Sequence, residues 1–368
     1  MSSSNCGQNV LDHHGADPTG TTDSTGAFLR AIAALGSRGG IVAIPAGRYR
    51  IDGAPISVRT PVCFRGAWGI ERTGRDWSGA VIDGSTTTLM FPHDRDGFVV
   101  EPNTRVGFEN LALVRNRQDP NDPDKQDPPR FARRGIYAKG PIYADSLYLV
   151  FWERGIQLDG SATHPHQPED PDGYNVNGSR VERIFAEDCL WGTYTAGFNA
   201  QGCHFLDVYC LSCGAGIYDS SLGGNGYVNC YVEQAEAPTE PPYYIDNQSV
   251  LFNCRCEHKF PPQLGGSVQA IGGAFNVNAS PALRAVLGIV DPNPLNAGFR
   301  QINGVPGRIV SNLFKTSGFI GGEQIEVTVD GQTSVITFSA ADQSPAGLMK
   351  IGSRGQRELI LFLFRSAR

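Results

Sequence analysis

An internal repeat is the feature that most constrains what this chain can become. Phe108-Glu109-Asn110-Leu111-Ala112-Leu113 aligns with Ala144-Asp145-Ser146-Leu147-Tyr148-Leu149 and with Val181-Glu182-Arg183-Ile184-Phe185-Ala186. The series continues as Leu206-Asp207-Val208-Tyr209-Cys210-Leu211, Val228-Asn229-Cys230-Tyr231-Val232-Glu233 and Phe252-Asn253-Cys254-Arg255-Cys256-Glu257. The polar anchors Glu109, Asp145, Glu182, Asp207, Asn229 and Asn253 are separated by steps of 36, 37, 25, 22 and 24 residues. A period in this range marks a solenoid, in which no repeat can bury its apolar face alone and stacking supplies the core. The two long steps hold insertions rich in Pro and Asp, from Asn116 to Arg130 and from Gly160 to Gly178. A second marker recurs as Gly135-Ile136-Tyr137, Gly155-Ile156-Gln157 and Gly216-Ile217-Tyr218. Each step therefore reads as one coil, with successive coils ~4.8 Å apart.

Composition agrees. Glycine supplies 45 of 368 residues, well above the usual ~7%, and lacks the collagen period. Short runs separated by Gly, Asn, Asp and Pro read as strands and turns. With 40% hydrophobic and 18% charged residues, the chain is too apolar for disorder. A net charge of −6 argues against nucleic-acid binding. No apolar run reaches the ~18 residues of a membrane span. Residues 1–10 have no secretory pattern, so synthesis in the cytoplasm is expected. The nine cysteines then read as reduced thiols, most of them laddered in the core. Cys210 and Cys213 form a lone CxxC and Cys254 and Cys256 a CxC, which is not zinc-site spacing.

One amphipathic helix is expected near the start. Thr19 to Ser24 is a turn and N-cap cluster, Phe28, Ala31, Ile32 and Leu35 share one face over residues 26–35, and Gly36, Gly39 and Gly40 stop the helix. Ile41 to Pro45 follows as a strand. The run Asn9-Val10-Leu11-Asp12-His13-His14-Gly15-Ala16-Asp17-Pro18-Thr19-Gly20-Thr21-Thr22-Asp23-Ser24, then this helix, then Gly39-Gly40-Ile41-Val42-Ala43-Ile44-Pro45-Ala46-Gly47-Arg48-Tyr49, resembles the N-terminal signature of pectate-lyase-like parallel β-helix proteins in their bacteriophage tailspike variant. The likeness covers about 45 residues, and His14 stands where the family has Phe. It implies an all-β, right-handed parallel β-helix with an N-terminal capping α-helix, a polysaccharide bound along a lateral groove, a homotrimer and a virion-associated location. The expected divisions are a cap and first rung over 1–50, the β-helix over 51–262 and a smaller β-rich region over 263–368. In that last region Asp330-Gly331 lies between alternating runs and marks a hairpin. The apolar run Leu359 to Phe364 calls for a partner surface.

Cleavage of a glycosidic bond uses two carboxyls ~5 Å apart for retention or ~6.5–9.5 Å for inversion. The repeat places Glu233 and Glu257 in one column on successive coils. The adjacent column holds Glu187, Ser212, Gln234 and His258, and Asp188 follows Glu187. These form the densest ionisable stripe on the coils, so Glu233, Glu257, Glu187, Asp188 and His258 are the candidate catalytic residues. A solvated coil surface is the bland alternative. His258, with Lys259 and Arg255, also fits β-elimination from a uronic acid, which needs a base and a cation on the carboxylate. Trp152, Trp191, Tyr194 and Tyr218 sit near coil turns and are candidates to stack on sugar rings, with Arg255 as a further substrate contact; core packing competes for each.

No cofactor motif is present. Gly223-Gly224-Asn225-Gly226 lacks the lysine of a phosphate loop and reads as a turn. The insertion carrying His164, His166, Glu169, Asp170 and Asp172, and the one carrying Asp119, Asp122 and Asp124, read as acidic loops rather than metal sites. Two function classes stay open: a glycoside hydrolase or polysaccharide lyase, and a non-catalytic glycan-binding appendage protein.

Overall fold

The computed structural model describes residues 7–53, 55–67, 85–92, 94–115, 134–160, 174–234, 240–246, 248–258, 262–264, 268–271 and 274–277, together with four later strands. The insertion expected at 116–130 lies outside this set, as do residues 161–173 of the one expected at 160–178, with its His and Asp residues.

Every strand pair up to Val277 is parallel, and pairs join coil to coil rather than neighbours in sequence. The result is a right-handed parallel β-helix with three faces. The first face runs from Gly7–Asn9 through Gly40–Ile44 and Val62–Gly66 to Gln248–Phe252 and Gln269–Ile271. The second runs from Thr19–Asp23 to Tyr231–Gln234, Arg255–His258 and Ala274–Val277. The third is a separate eight-stranded sheet from Ile56–Val58 to Gln263–Leu264. The strands Val106–Arg115, Ile142–Val150, Arg180–Glu187 and His204–Cys213 are long because each bends from the first face onto the second.

The bend is made by one residue in the left-handed region: Asn110, Ser146, Arg183, Asp207, Asn229 and Asn253, all with φ between 52° and 57°. Asn and Asp tolerate this conformation, while Ser and Arg accept a cost of ~1–2 kcal/mol there. The amides hydrogen-bond along the axis: Asn253 Nδ2 donates to Asn229 Oδ1 at 2.8 Å, and Asn229 Nδ2 to Asp207 Oδ1 at 3.2 Å.

This column corrects the repeat. Glu182 is paired with Leu206, not Asp207. The first three anchors therefore stand one position before the bend and the last three at it. In a strand a one-residue slip moves every side chain to the other face, and two consequences follow below.

The recurring Gly-Ile marker is a true column on the third face: Ile136 pairs with Ile156, Ile156 with Thr193, and Thr193 with Ile217. Its glycine is dictated by close stacking. A Cβ on Gly135 would lie 2.7 Å from the carbonyl oxygen of Gly155, and one on Gly155 2.7 Å from that of Gly192. Gly223–Val228 is a strand, not the expected turn; the left-handed Gly223 and Gly224 absorb a register shift at its start.

The interior is one continuous apolar column. Phe64 stacks on Phe108 at 5.5 Å and Phe205 on Tyr227 at 4.6 Å. Cys189, Cys203, Cys210, Cys213, Cys230, Cys254 and Cys256 are buried free thiols within it. Helix α1, Thr25–Leu35, lays Ala27, Phe28, Ala31 and Leu35 over the open end of the first coils, shielding strand edges from further pairing. The Asp17 carboxylate gathers the amides of Thr19, Thr21 and Thr22, which explains the dense Thr/Asp run before the helix. Beyond the coil, Gln324–Val329 and Gln332–Thr337 form the hairpin expected around Asp330-Gly331, and Ala346–Gly352 pairs antiparallel with Glu358–Phe364. No helix among the described residues is long and apolar enough to cross a membrane.

Candidate functional site

The outward side of the second face carries two adjacent columns. Strand alternation sends Leu147, Leu149, Ile184, Ala186, Val208 and Cys210 inward and the residues between them outward. The first outward column reads Ala112, Tyr148, Phe185, Tyr209, Tyr231 and Arg255. Its rings form a second apolar cluster, outside the core. Phe185 stacks on Tyr209 at 5.1 Å, Tyr209 leans on Tyr231 at 4.8 Å, and the Arg255 guanidinium lies 4.3 Å over the Tyr231 ring.

The second outward column, two residues further along each strand, reads Val114, Val150, Glu187 and Leu211, then Glu233 and Glu257. A bulge between Cys210 and Cys213 lies between Leu211 and Glu233. Glu187 thus shares its column with Glu233 and Glu257; the one-residue slip had set it in the neighbouring one.

The two columns are tied diagonally. The Tyr148 hydroxyl donates to Glu187 on the next coil and the Tyr209 hydroxyl to Glu233 Oε2 at 2.7 Å, while Tyr231 has Glu257 at the same diagonal position. Where the first column has Phe185 in place of tyrosine, the diagonal position holds Leu211 in place of glutamate. Glu187 is half-buried; that desolvation, with Asp188 beside it, lifts its carboxyl above the usual range despite the Tyr148 hydrogen bond. Burial and the Glu187 contact likewise raise Tyr148. Asp188 is exposed and sits at a second left-handed bend, φ 50°, which turns the chain off the second face. Glu233 is half-buried and Glu257 exposed. The backbone places His258 beside Glu257, opposite Val277; its side chain, like Lys259, is outside what the structure describes.

The aromatic candidates stand elsewhere. Trp152 is a core residue, 1% exposed, whose Nε1 donates to the Leu113 carbonyl at 3.0 Å. The turn at Phe151, φ 63°, swings it inward, so it presents nothing to a sugar. Trp191, Tyr194 and Tyr218 belong to the third face. Tyr194 and Tyr218 stack at 4.2 Å, Tyr218 and Tyr244 at 4.7 Å, and Arg154 lies 3.9 Å over Tyr194. Trp191 is largely buried, edge-on to Tyr218 at 5.2 Å. The ring faces that would stack on a sugar are occupied by one another, which leaves mainly ring edges and hydroxyls outward. Of the substrate-contact candidates only Arg255 adjoins the carboxylates.

Sequence reasoning passed over Tyr148, Tyr209 and Tyr231, which the repeat as aligned by its acids split between two positions and which the backbone register brings into one column. It also passed over a buried polar cluster. Asp219, 1% exposed, accepts from Ser221 Oγ at 2.6 Å, Tyr227 Oη at 2.8 Å and Asn225 Nδ2 at 2.9 Å inside the coil. Among the described residues no group of His, Cys, Asp and Glu is arranged to hold a metal ion.

Comparison with known proteins follows the fold. No family model matches the sequence, and no curated protein matches it. Solved structures similar in shape include the ORF18 protein of Geobacillus virus E2, at 14% identity and TM-score 0.31 over 74% of this chain and 62% of that one. An iota-carrageenase complexed to iota-carrageenan fragments has 16% identity and TM-score 0.45 over 72% and 56%. Pantoea stewartii WceF, described as a glycan biofilm modifying enzyme with a bacteriophage tailspike-like parallel β-helix fold, has 12% identity and TM-score 0.45 over 76% and 38%. The chain spans about three fifths of the length of the first solved structures it matches. At these identities the likeness extends to the fold alone, which the coil-to-coil register already establishes.

Proposed function

We propose that this protein acts on a polysaccharide, as a glycoside hydrolase working on the outer surface of the second face. The observation that carries this reading is the convergence of Glu187, Glu233 and Glu257 in one outward column beside an aromatic one. Glu187, whose carboxyl is raised above the usual range by its half-buried setting, is the general acid for the leaving glycosidic oxygen. The Glu233 carboxylate accepts the proton of the attacking water. With one coil between them their backbones are ~9.6 Å apart, near the upper end of the ~6.5–9.5 Å range of inverting enzymes. Glu257, one coil further, and Arg255 extend the surface along the glycan. A lyase would need the base and cations at His258 and Lys259 instead.

A second reading is favoured by the diagonal hydrogen bonds: Glu187 and Glu233 each already have a tyrosine partner, as in a surface built to be rigid. That suits a non-catalytic glycan-binding appendage protein. Reducing-end release from a panel of acidic and neutral glycans separates the two. The hydrolase reading expects turnover that falls at least a hundredfold in Glu187→Gln and Glu233→Gln with the fold unchanged. Binding without release in the wild-type chain selects the second reading, and unsaturated products select a lyase. Homotrimer assembly and a virion-associated location belong to either reading; sedimentation equilibrium of the full chain tests the first.

A further inference from the structure

The outward positions of the first face change character along the solenoid axis. One column of register partners reads Arg65, Glu109, Asp145, Glu182, then Leu206, Val228 and Phe252, with Ile271 at the next position. The charged half is tied within itself: Arg65 Nε lies 2.7 Å from Glu109 Oε2, and Arg183 pairs with Asp145. In the apolar half Leu206 and Val228 are half-buried, and the far end is open. Phe252 is 50% exposed, Val250 beside it 39%, and Leu222, at the entry to the preceding strand, 46%. Strand Gln248–Phe252 turns Ser249 inward, toward Asp219, and Val250 and Phe252 outward. Had Asp207 stood in this column, where the spacing of the acids places it, the acidic stripe would have run one coil further. Contiguous exposed apolar surface of this kind marks an interaction site.

The same chain holds a segment with the opposite deficit. Among the described residues the last coil strand is Ala274–Val277, one coil beyond Leu251, and residues 278–368 follow in sequence. Among them Ala346–Gly352 and Glu358–Phe364 form a two-stranded antiparallel ribbon. All six residues from Leu359 to Phe364 are apolar, so with a strand period of two neither face of that strand is polar. A two-stranded ribbon cannot bury two apolar faces by itself and is at best marginal in water. In sequence the ribbon follows Val277, the described coil end nearest the exposed stripe, so a contact between the two is intramolecular and needs no second molecule.

We infer that the ribbon 346–364 docks with one face on the Leu206–Val228–Val250–Phe252 stripe of its own coil. The partner is a segment of the same chain, and the contact is independent of what the second face does to a glycan. To test it, p-benzoylphenylalanine is incorporated at position 252 of the full chain, an exposed site whose change leaves the core intact. A mixture of isotopically light and heavy protein is irradiated and the cross-linked peptides are mapped. The expected product is a cross-link from 252 into 346–364 with both peptides carrying the same isotope label, at monomer mass. Mixed-label cross-links into 346–364 assign the stripe to a second copy and overturn the proposal, as does cross-linking to any other segment or none. In parallel, Val250→Ser with Phe252→Ser should raise amide hydrogen exchange in 346–364 at least tenfold and leave Phe205–Leu211 unchanged; unaltered exchange in the ribbon overturns the docking as well.

Discussion

The hydroxyl of Tyr209 on one coil donates to the carboxylate of Glu233 on the next, at 2.7 Å, and this diagonal is repeated by Tyr148 with Glu187. The one interruption replaces both partners together, Phe185 with Leu211. The rule is physical: a phenol partly buried among rings needs an acceptor, and a ring without a hydroxyl leaves a carboxylate nothing to gain there.

A double-mutant cycle measures the diagonal. Tyr209→Phe and Glu233→Leu should each lower unfolding free energy, with a coupling of about 1.5 kcal/mol, because either change removes the hydrogen bond to a charged acceptor. Denaturant titration of the four chains checks this. Tyr209→Phe alone should keep more than a tenth of any hydrolytic activity, whereas Glu233→Gln should not.

Glu187 makes stability and activity depend on pH in a defined direction. Its carboxyl titrates above the usual value because of burial. The native state therefore holds a proton that the unfolded chain has already released, and unfolding free energy falls as pH rises through that window. Glu187→Gln should flatten this fall, measured by melting temperature from pH 4 upward. In the hydrolase the alkaline limb of the rate profile belongs to the same group, so loss of activity should follow deprotonation of Glu187.

Asp219 is a buried carboxylate held by neutral donors. Asp219→Asn leaves one acceptor oxygen: kept at Oδ1 for Ser221, it sets an NH2 against Asn225 Nδ2 and Tyr227 Oη, and kept at Oδ2 for those two, it takes the acceptor from Ser221. A loss of about 3 kcal/mol is expected, the scale of breaking a buried charged network. Chemical denaturation should show it, with Ser221→Ala costing less.

The buried thiols should be inert. Desolvation pushes Cys203 up to about 12, and Cys189, Cys213 and Cys230 are raised as well. The thiolate is the nucleophile, so iodoacetamide at neutral pH should leave Cys189, Cys203, Cys210, Cys213, Cys230, Cys254 and Cys256 unmodified in the folded protein and alkylate them after denaturation. Peptide mass spectrometry reads both states, and rapid labelling of the native chain would show that the coil opens locally.

Much of this architecture is written into the order of residues. A coil that cannot bury its own apolar positions must repeat them, so the solenoid, the capping helix and the Gly-Ile column are visible as spacing. The pairing of Glu233 with Glu257, and of Cys210 with Cys256 two coils on, is visible for the same reason. What spacing alone did not decide was register across the step from Arg183 to Asp207. Leu206-Asp207 and Glu182-Arg183 both offer an acid beside the bend, and only the backbone, turning left-handed at Arg183 and Asp207, chooses between them. That single residue sets which side chains face water: it joins Glu187 to Glu233 and Glu257, and it opens the apolar stripe from Leu206 to Phe252. The direction of each aromatic ring was likewise a tertiary outcome. Trp152 points inward because Phe151 bends the chain, and Tyr194 and Tyr218 spend their faces on each other because coils stack closer than a sugar ring could enter between them. Period is a property of the chain; the face that a residue presents depends on where each turn falls, and that is settled only when the coils are in contact.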